Sequence, residues 1–352
     1  MSMKIAVLVS GGVDSSVVLA LLKQQGHDIT AFYLKIWLED ELSYLGDCPW
    51  QEDLSYVEAV CNQLNVPLEV VSLQKEYWST VVAYTIVEIK AGRTPNPDIL
   101  CNQRIKFGVF FDKFAAQFDK VATGHYAQVM ETAGVFYLKK APDHVKDQTY
   151  FLATLRQDQL SKALFPIGHL AKPEVRVLAE SFNLPNKARK DSQGICFLGK
   201  LKFSDFIRHH LGDKKGDIRE VETDTELGEH QGFWYYTIGQ RQGLGLAGGP
   251  WYVTGKDHIK NVVYVSRSYY DENKSRDTFQ VAHTQWTLPL AGKQVSAKLR
   301  HGPQVQLCTV ELLEDDCAII KLSNHDQGIA PGQFAVFYDN DICLGAGVIS
   351  AS

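Results

Sequence analysis

Val7-Leu8-Val9-Ser10-Gly11-Gly12-Val13-Asp14-Ser15-Ser16 lies near the start of the 352-residue chain and decides how the first part of it folds. The apolar run Ile5 to Val9 reads as a buried parallel strand. Beyond the loop, Val17, Val18, Leu21 and Leu22 recur on one face of a helix. Between strand and helix sit a serine, two glycines, an aspartate and two more serines. Glycine lets the backbone approach a ligand and take a positive φ. The helix N-terminus offers unpaired N–H groups and the positive end of a dipole. Serine hydroxyls donate to phosphate oxygens. The stretch therefore reads as a phosphate cradle. It differs from G-x-x-x-x-G-K-[ST], because it carries no lysine.

Outward from this loop, short apolar strands alternate with amphipathic helices. The pattern predicts strands at Ile5–Val9, Ile29–Leu34, Leu68–Ser72 and Lys120–Thr123, and helices over 13–25, 52–64, 75–91 and 102–117. A β/α order of this kind predicts a doubly wound parallel sheet. Ligands of such sheets bind at the carboxyl ends of the strands. Ser10 lies there, as does Thr123-Gly124-His125-Tyr126, and Leu34 at the end of the second strand is placed to flank an adenine. Gln128 to Lys140 alternates around Gly134 as a hairpin does. Pro95 and Pro97 predict an extended, stiff loop before Cys101, which then stands at or beside a helix N-terminus. That position favours thiolate, and Asp98 lies three residues before it. A helix is expected to open at Lys146-Asp147-Gln148, with Asp147 as a cap and Lys146 and Gln148 exposed. Pro173 fits the first turn of the following helix, in a packing role. Cys196 lies in a Ser/Gly-rich loop between basic residues, a second setting that favours thiolate. Two such cysteines suggest a pair that meets in space, although the residues alone favour two unrelated cysteines.

Past Arg208 the helical pattern fades. Gly232 to Gly245 is aromatic and then glycine-rich, which reads as a small β module. From about Thr278, short alternating segments recur (Val295/Ala297/Leu299, Val305/Leu307/Thr309, Ala318/Ile320, Phe334/Val336), as expected of a small β-barrel. The domains expected are 1–205, 206–277 and 278–352. Net charge is −5 and the apolar content 45%, so no general basic surface is expected. Lys187 to Arg219 is the local exception, with nine Lys/Arg against four Asp. No stretch approaches a membrane span, and the N-terminus leads straight into a strand, so neither membrane nor signal peptide is expected. The seven cysteines are scattered, at 48, 61, 101, 196, 308, 317 and 343, with no C-x-x-C, which fits a reducing cytoplasm better than a disulfide framework or a zinc site. Cys61, Cys308, Cys317 and Cys343 read as core, and Cys48 as a loop residue.

The form S-G-G-x-D-S-S resembles the pyrophosphate loop of enzymes that cut ATP between its α and β phosphates. Further motifs occur in one order: Thr94-Pro-Asn-Pro-Asp98 with Cys101-Asn102, Thr123-Gly-His-Tyr-Ala127, Lys146-Asp-Gln148, Asp191-Ser-Gln-Gly-Ile-Cys-Phe197, Thr237-Ile-Gly-Gln-Arg241 and Pro331-Gly-Gln333. Over essentially its whole length the chain resembles the tRNA-specific 2-thiouridylases. The resemblance implies a sulfurtransferase that uses ATP and Mg²⁺ to thiolate C2 of the wobble uridine of tRNA, supplied by a persulfide donor protein (a cysteine desulfurase or a relay). It implies Ser10, Gly11, Gly12, Val13, Asp14, Ser15, Ser16, Leu34 and Gly124 around the nucleotide. It makes Cys196 the persulfide carrier, Cys101 the nucleophile that releases its sulfur through a transient disulfide, and Asp98 the proton carrier or base holder. Asn96, Pro97 and Asp98 would meet the target base, and His125, Lys146, Asp147, Gln148, Arg300, His301 and Gln333 the tRNA. No resident metal site is implied. The chain departs from the family pattern at Gln193 (commonly Thr), Leu34 (often Met) and Arg300-His301 (Arg-Tyr). Two other readings stay open. One is another pyrophosphate-loop enzyme, an amide-forming ligase or a thiouridine synthase acting at a different tRNA site. The other is a non-catalytic ATP sensor.

Overall fold

The computed structural model describes residues 2–36, 49–191, 203–268, 276–290, 295–326 and 328–351. Cys48 and Cys196 lie outside the described residues. Strand β1 (Lys4–Val9) runs parallel to β2 (Asp28–Lys35) on one side and β4 (Lys120–Ala122) on the other. With β3 (Leu68–Ser72) and β7 (Ala163–Leu164) they form a parallel sheet of order β3-β2-β1-β4-β7. Both faces are covered, so β1 is buried along Ile5 to Val9. Helix α1 (Val13–Gln24) is more deeply set than its periodicity predicts: Leu19 and Ala20 are buried along with Val17, Val18 and Leu22, and Leu21 is the more exposed side. Helix α2 (Pro49–Leu64) packs Val57, Val60 and Cys61 into the same core, and burial pushes the Cys61 thiol up to about 11.

The next two helices differ from the sequence reading. Residues 74–90 form helix α3, which widens into a π-helical turn at Trp78–Val82. Residues 97–114 form helix α4, π-helical over Cys101–Val109. Helix α4 begins at Pro97, not at Asn102. Asn96 is extended, but Pro97 occupies the first helical position, where a missing N–H costs nothing, and Asn96 Oδ1 caps Ile99 N at 3.2 Å. The helix expected to open at Lys146-Asp147-Gln148 is instead a single 3₁₀ turn at Thr149–Leu152.

Beyond β7 come α6 (Lys172–Ser181), preceded by the short α5 (Gln157–Lys162), and then α7 (Phe203–Leu211). Four strands, β8 (Gly216–Glu220), β9 (Glu226–His230), β10 (Tyr252–Asp257) and β11 (Val262–Ser266), make a small sheet of order β10-β11-β8-β9. The last six strands close a barrel: β12 (Arg276–Trp286), β13 (Val295–Lys298), β14 (Gln306–Leu312), β15 (Ala318–Asp326), β16 (Phe334–Asp339) and β17 (Ile342–Ala351), with β12 paired to both β15 and β17.

The barrel is continuous with the hairpin β5 (Ala127–Thr132)–β6 (Val135–Lys140), because β17 pairs with β6 through Ile342↔Lys139 and Cys343↔Leu138. Strand β16 is buried on both faces for that reason. Ala335 and Phe337 fill the barrel, while Phe334, Val336 and Tyr338 join the core beneath the parallel sheet. At and just before β14 the apolar alternation points to the outer face, although Cys308 is rightly read as core. Val305 and Leu307 are exposed, whereas Cys308 faces in, its thiol pushed up by burial to about 12. Cys343 is core, and Cys317 is half-exposed at a turn. Among the described residues no helix is long and apolar enough to cross a membrane.

Candidate nucleotide and sulfur-transfer site

The loop after β1 is built by donors aimed at its carbonyls. Asn186 Nδ2 reaches Gly11 O at 2.8 Å and Ser16 Oγ at 2.9 Å, and Arg189 Nη1 reaches Gly11 O at 2.9 Å. In a trans peptide the next N–H points the opposite way, so fixing Gly11 O turns the Gly12 N–H outward. No side chain caps α1, which leaves its first-turn amides for an anion. Gly11 has φ +74°, and a Cβ there would sit 2.6 Å from Asp53 O and 2.9 Å from Arg189 Nη1. Gly124 approaches just as closely: its Cβ would lie 2.9 Å from Ser15 N. Gly11→Ala should therefore weaken ATP binding by about tenfold to a hundredfold, the scale of such backbone strain. Calorimetric titration with ATP checks this, and unchanged affinity would contradict this account of the loop.

The serines are used differently from the expectation. Ser15 Oγ and Ser16 Oγ bond back to Gly12 O at 3.1 and 3.0 Å and are buried, so only the Ser10 hydroxyl is exposed. Asp14 receives the Tyr126 hydroxyl at 3.1 Å and the Lys172 ammonium at 2.6 Å. Burial, then the charge of Asp14 and its hydrogen bond, push the Tyr126 phenol far up, so it remains a donor. Lys172 also reaches Asp191 at 2.8 Å, as does Lys146, and Arg176 pairs with the same carboxylate. Partial burial opposes ionisation of Asp191, but hydrogen bonds from Lys146 and Lys172 and their charges outweigh it and hold the carboxyl far below the usual range. Leu34 is half-buried at the carboxyl end of β2.

A line of contacts leads from this loop to Cys101. Tyr126 N donates to Gln148 Oε1 at 3.0 Å, and Gln148 N to Tyr126 O at 2.9 Å. Phe151 N bonds back to Gln148 O, and Asn102 Nδ2 donates to Phe151 O at 3.1 Å. Cys101 comes directly after the first turn of α4 and is fully buried, with Asp98 at the second helical position and half-buried. The Asn96 segment is braced by the barrel: Gln333 Nε2 donates to Thr94 O at 3.0 Å and Thr94 N to Pro331 O at 2.8 Å. His301 stacks on Phe151 with ring centroids 4.7 Å apart, and Arg300 pairs with Asp326 at 3.2 Å. His125 Nδ1 lies 2.7 Å from Thr123 Oγ1. Burial, then the charge of Lys106, push its imidazole well below the ordinary range.

Asp147, read from sequence as a tRNA contact, is only 2% exposed. Its carboxylate accepts from Ala141 N, from Thr149 and from Lys298 Nζ at 3.3 Å. The basic run is also quieter than its composition: Lys187, Arg208, Lys215 and Arg219 pair with Glu180, Asp213, Glu229 and Asp217. The sequence reading missed Lys172, Arg176, Asn186, Arg189 and Asp53 as parts of this site. One signal was available for Lys172. A cation at the first residue of a helix opposes the dipole and needs carboxylates from elsewhere.

Three family models match the chain in succession: a tRNA methyl transferase HUP domain over residues 3–200, a tRNA methyl transferase PRC-barrel domain over 204–267, and an aminomethyltransferase beta-barrel domain over 276–349. The tRNA-specific 2-thiouridylase MnmA of Parabacteroides distasonis is 47% identical, covering 99% of this chain and 99% of that one. The chain belongs to the tRNA-specific 2-thiouridylase family. The Porphyromonas gingivalis relative of that name is 46% identical over 99% of both chains. One from Bacteroides thetaiotaomicron, MnmA 1, is 47% identical over 99% of this chain and all of its own. The HUP match covers the loop Ser10–Ser16, whose uncapped first-turn amides at the start of α1 suit the phosphates of ATP. Family membership and the loop geometry thus point to the same co-substrate.

Proposed function

We propose that this protein is a tRNA-uridine 2-sulfurtransferase, which replaces the C2 oxygen of the wobble uridine of tRNA by sulfur. The observation that carries this reading is the line of contacts from Asp14 through Tyr126 and Gln148 to Phe151 and Asn102, which ties a nucleotide loop to a cysteine segment. ATP supplies AMP to the C2 oxygen with loss of pyrophosphate, making that oxygen a leaving group, and Mg²⁺ offsets the phosphate charge. Cys196 carries the incoming sulfur as a persulfide, delivered by a persulfide donor protein. The Cys101 thiolate attacks the Cys196 sulfur, forming a Cys101–Cys196 disulfide and releasing hydrosulfide. Hydrosulfide adds at C2, AMP departs with the oxygen, and Asp98 takes the sulfur-borne proton. A thiol reductant returns the disulfide to two thiols.

The base is held by Asn96, Pro97 and Asp98 after being splayed out of the anticodon loop. His125, Lys146, Gln148, Arg300, His301 and Gln333 contact the tRNA, whereas Asp147 acts from inside by positioning its neighbours. The functional divisions are 1–205, 206–277 and 278–352, in a cytoplasmic protein. The test is nucleoside mass spectrometry of a wobble-uridine tRNA incubated with protein, Mg-ATP and a persulfide donor. A product heavier by one oxygen-to-sulfur exchange, mapped to the wobble position and lost without ATP, is expected. Neither thiolation nor pyrophosphate release would favour the ligase or sensor readings, and thiolation at another base would favour the synthase.

A further inference from the structure

The loop Ser10–Ser16 contains no lysine, yet a polyphosphate bound there needs a cation. Lys172 is placed to be that cation. It is the first residue of α6, and its ammonium lies 2.6 Å from Asp14 in the loop and 2.8 Å from Asp191. Its side chain is 13% exposed. The base of the residue is fixed, since Lys172 N donates to Asp143 Oδ2 at 3.1 Å. The helix dipole disfavours a cation at this position, so the ammonium is held by carboxylates from outside its own helix.

Those carboxylates do not depend on Lys172 alone. Asp14 keeps the Tyr126 hydroxyl, and Asp191 keeps Lys146 and Arg176. If the ammonium turned to another anion, neither carboxylate would be left without a donor. Asp14 is the second residue of α1, so the ammonium stands within one side chain of the open first-turn amides. Lys146 and Arg176 pair with Asp191, whereas Lys172 spans Asp191 and Asp14 at the start of α1; Arg189 also touches the loop, but through Gly11 O and Asp53 rather than through Asp14.

We propose that Lys172 binds the β and γ phosphates of the nucleotide, with Asp14 and Asp191 as its counter-ions until the nucleotide enters. This rests on the ATP reading above. The full-length protein is titrated calorimetrically, with Mg²⁺, against α,β-methylene-ATP, pyrophosphate and AMP. Lys172→Gln should lose about tenfold or more in affinity for the first two and less than about twofold for AMP, and Lys172→Arg should recover much of the loss. Equal losses for AMP and the ATP analogue would assign Lys172 to holding the loop's shape and overturn the proposal. So would unchanged affinity for all three in a variant whose melting temperature has fallen. Failure of the wild-type protein to bind any of the three ligands would overturn the ATP reading, and this assignment with it.

Discussion

Serine in place of Cys101 should abolish thiolation while pyrophosphate release continues. The two steps use different groups. In the proposed mechanism adenylation needs the loop after β1, whereas release of sulfur from Cys196 needs a thiolate to accept the disulfide bond. A serine hydroxyl cannot form that bond, so the expected loss is on the order of 10⁴- to 10⁶-fold, the scale for removing a covalent nucleophile. The fold should tolerate the change. Cys101 is fully buried, its backbone N–H already bonds to Pro97 O and Asp98 O, and serine is smaller with a hydroxyl that can bond back along the helix. Rates of thiolation and of pyrophosphate release are measured on one sample, with a thermal melt beside them. Thiolation within about tenfold of wild type would remove Cys101 from the mechanism.

Lys298→Met should destabilise the protein by about 3–5 kcal/mol, the usual consequence of leaving one partner of a buried ion pair alone. Lys298 is 4% exposed and Asp147 2%, and they meet at 3.3 Å. Asp147 also accepts from Ala141 N at 3.2 Å and from the Thr149 hydroxyl at 3.0 Å, so its charge is held in place and cannot turn to water. Replacing both partners, Lys298→Met with Asp147→Asn, should recover part of the loss, since no charge is then stranded. Urea unfolding of the two variants measures the coupling. A single variant within about 1 kcal/mol of wild type would show the pair to be dispensable. Lys146 and Gln148 flank Asp147, so the single variant should also weaken tRNA binding.

The parts of the fold that depend on local pattern were legible. Apolar runs and a Gly/Ser turn gave β1, the loop and α1, and alternation gave the hairpin and the barrel. The misreadings have a common cause in partners that local pattern does not announce. Alternation on β14 favours the face of Leu307, and only the barrel's closure decides that this face turns outward while Cys308, read as core, turns in. Pro97 reads as a helix breaker until Asn96 is seen to cap the first turn of α4. Asp147 looks like an exposed polar residue because nothing near it in sequence announces Lys298 on β13. Within the site, the loop and Cys101 carry recognisable local settings. Lys172, Arg176 and Asn186 do not, because their roles exist only through Asp14, Asp191 and Gly11, which the fold brings to them.

The pairing of β17 with β6 bears on how this protein is made. Until β17 is present, the outer edge of β6 shows open backbone groups that invite another chain. The hairpin is synthesised well before its partner strand β17, so that edge stays exposed while the intervening chain is made. A chain stopped before Ile342 also lacks the strand that sits against Leu138 and Lys139, just ahead of the Lys146–Gln148 turn. A chain cut before Ile342, even with every residue of the nucleotide loop in place, should therefore aggregate more readily than the full chain and hold that turn more loosely.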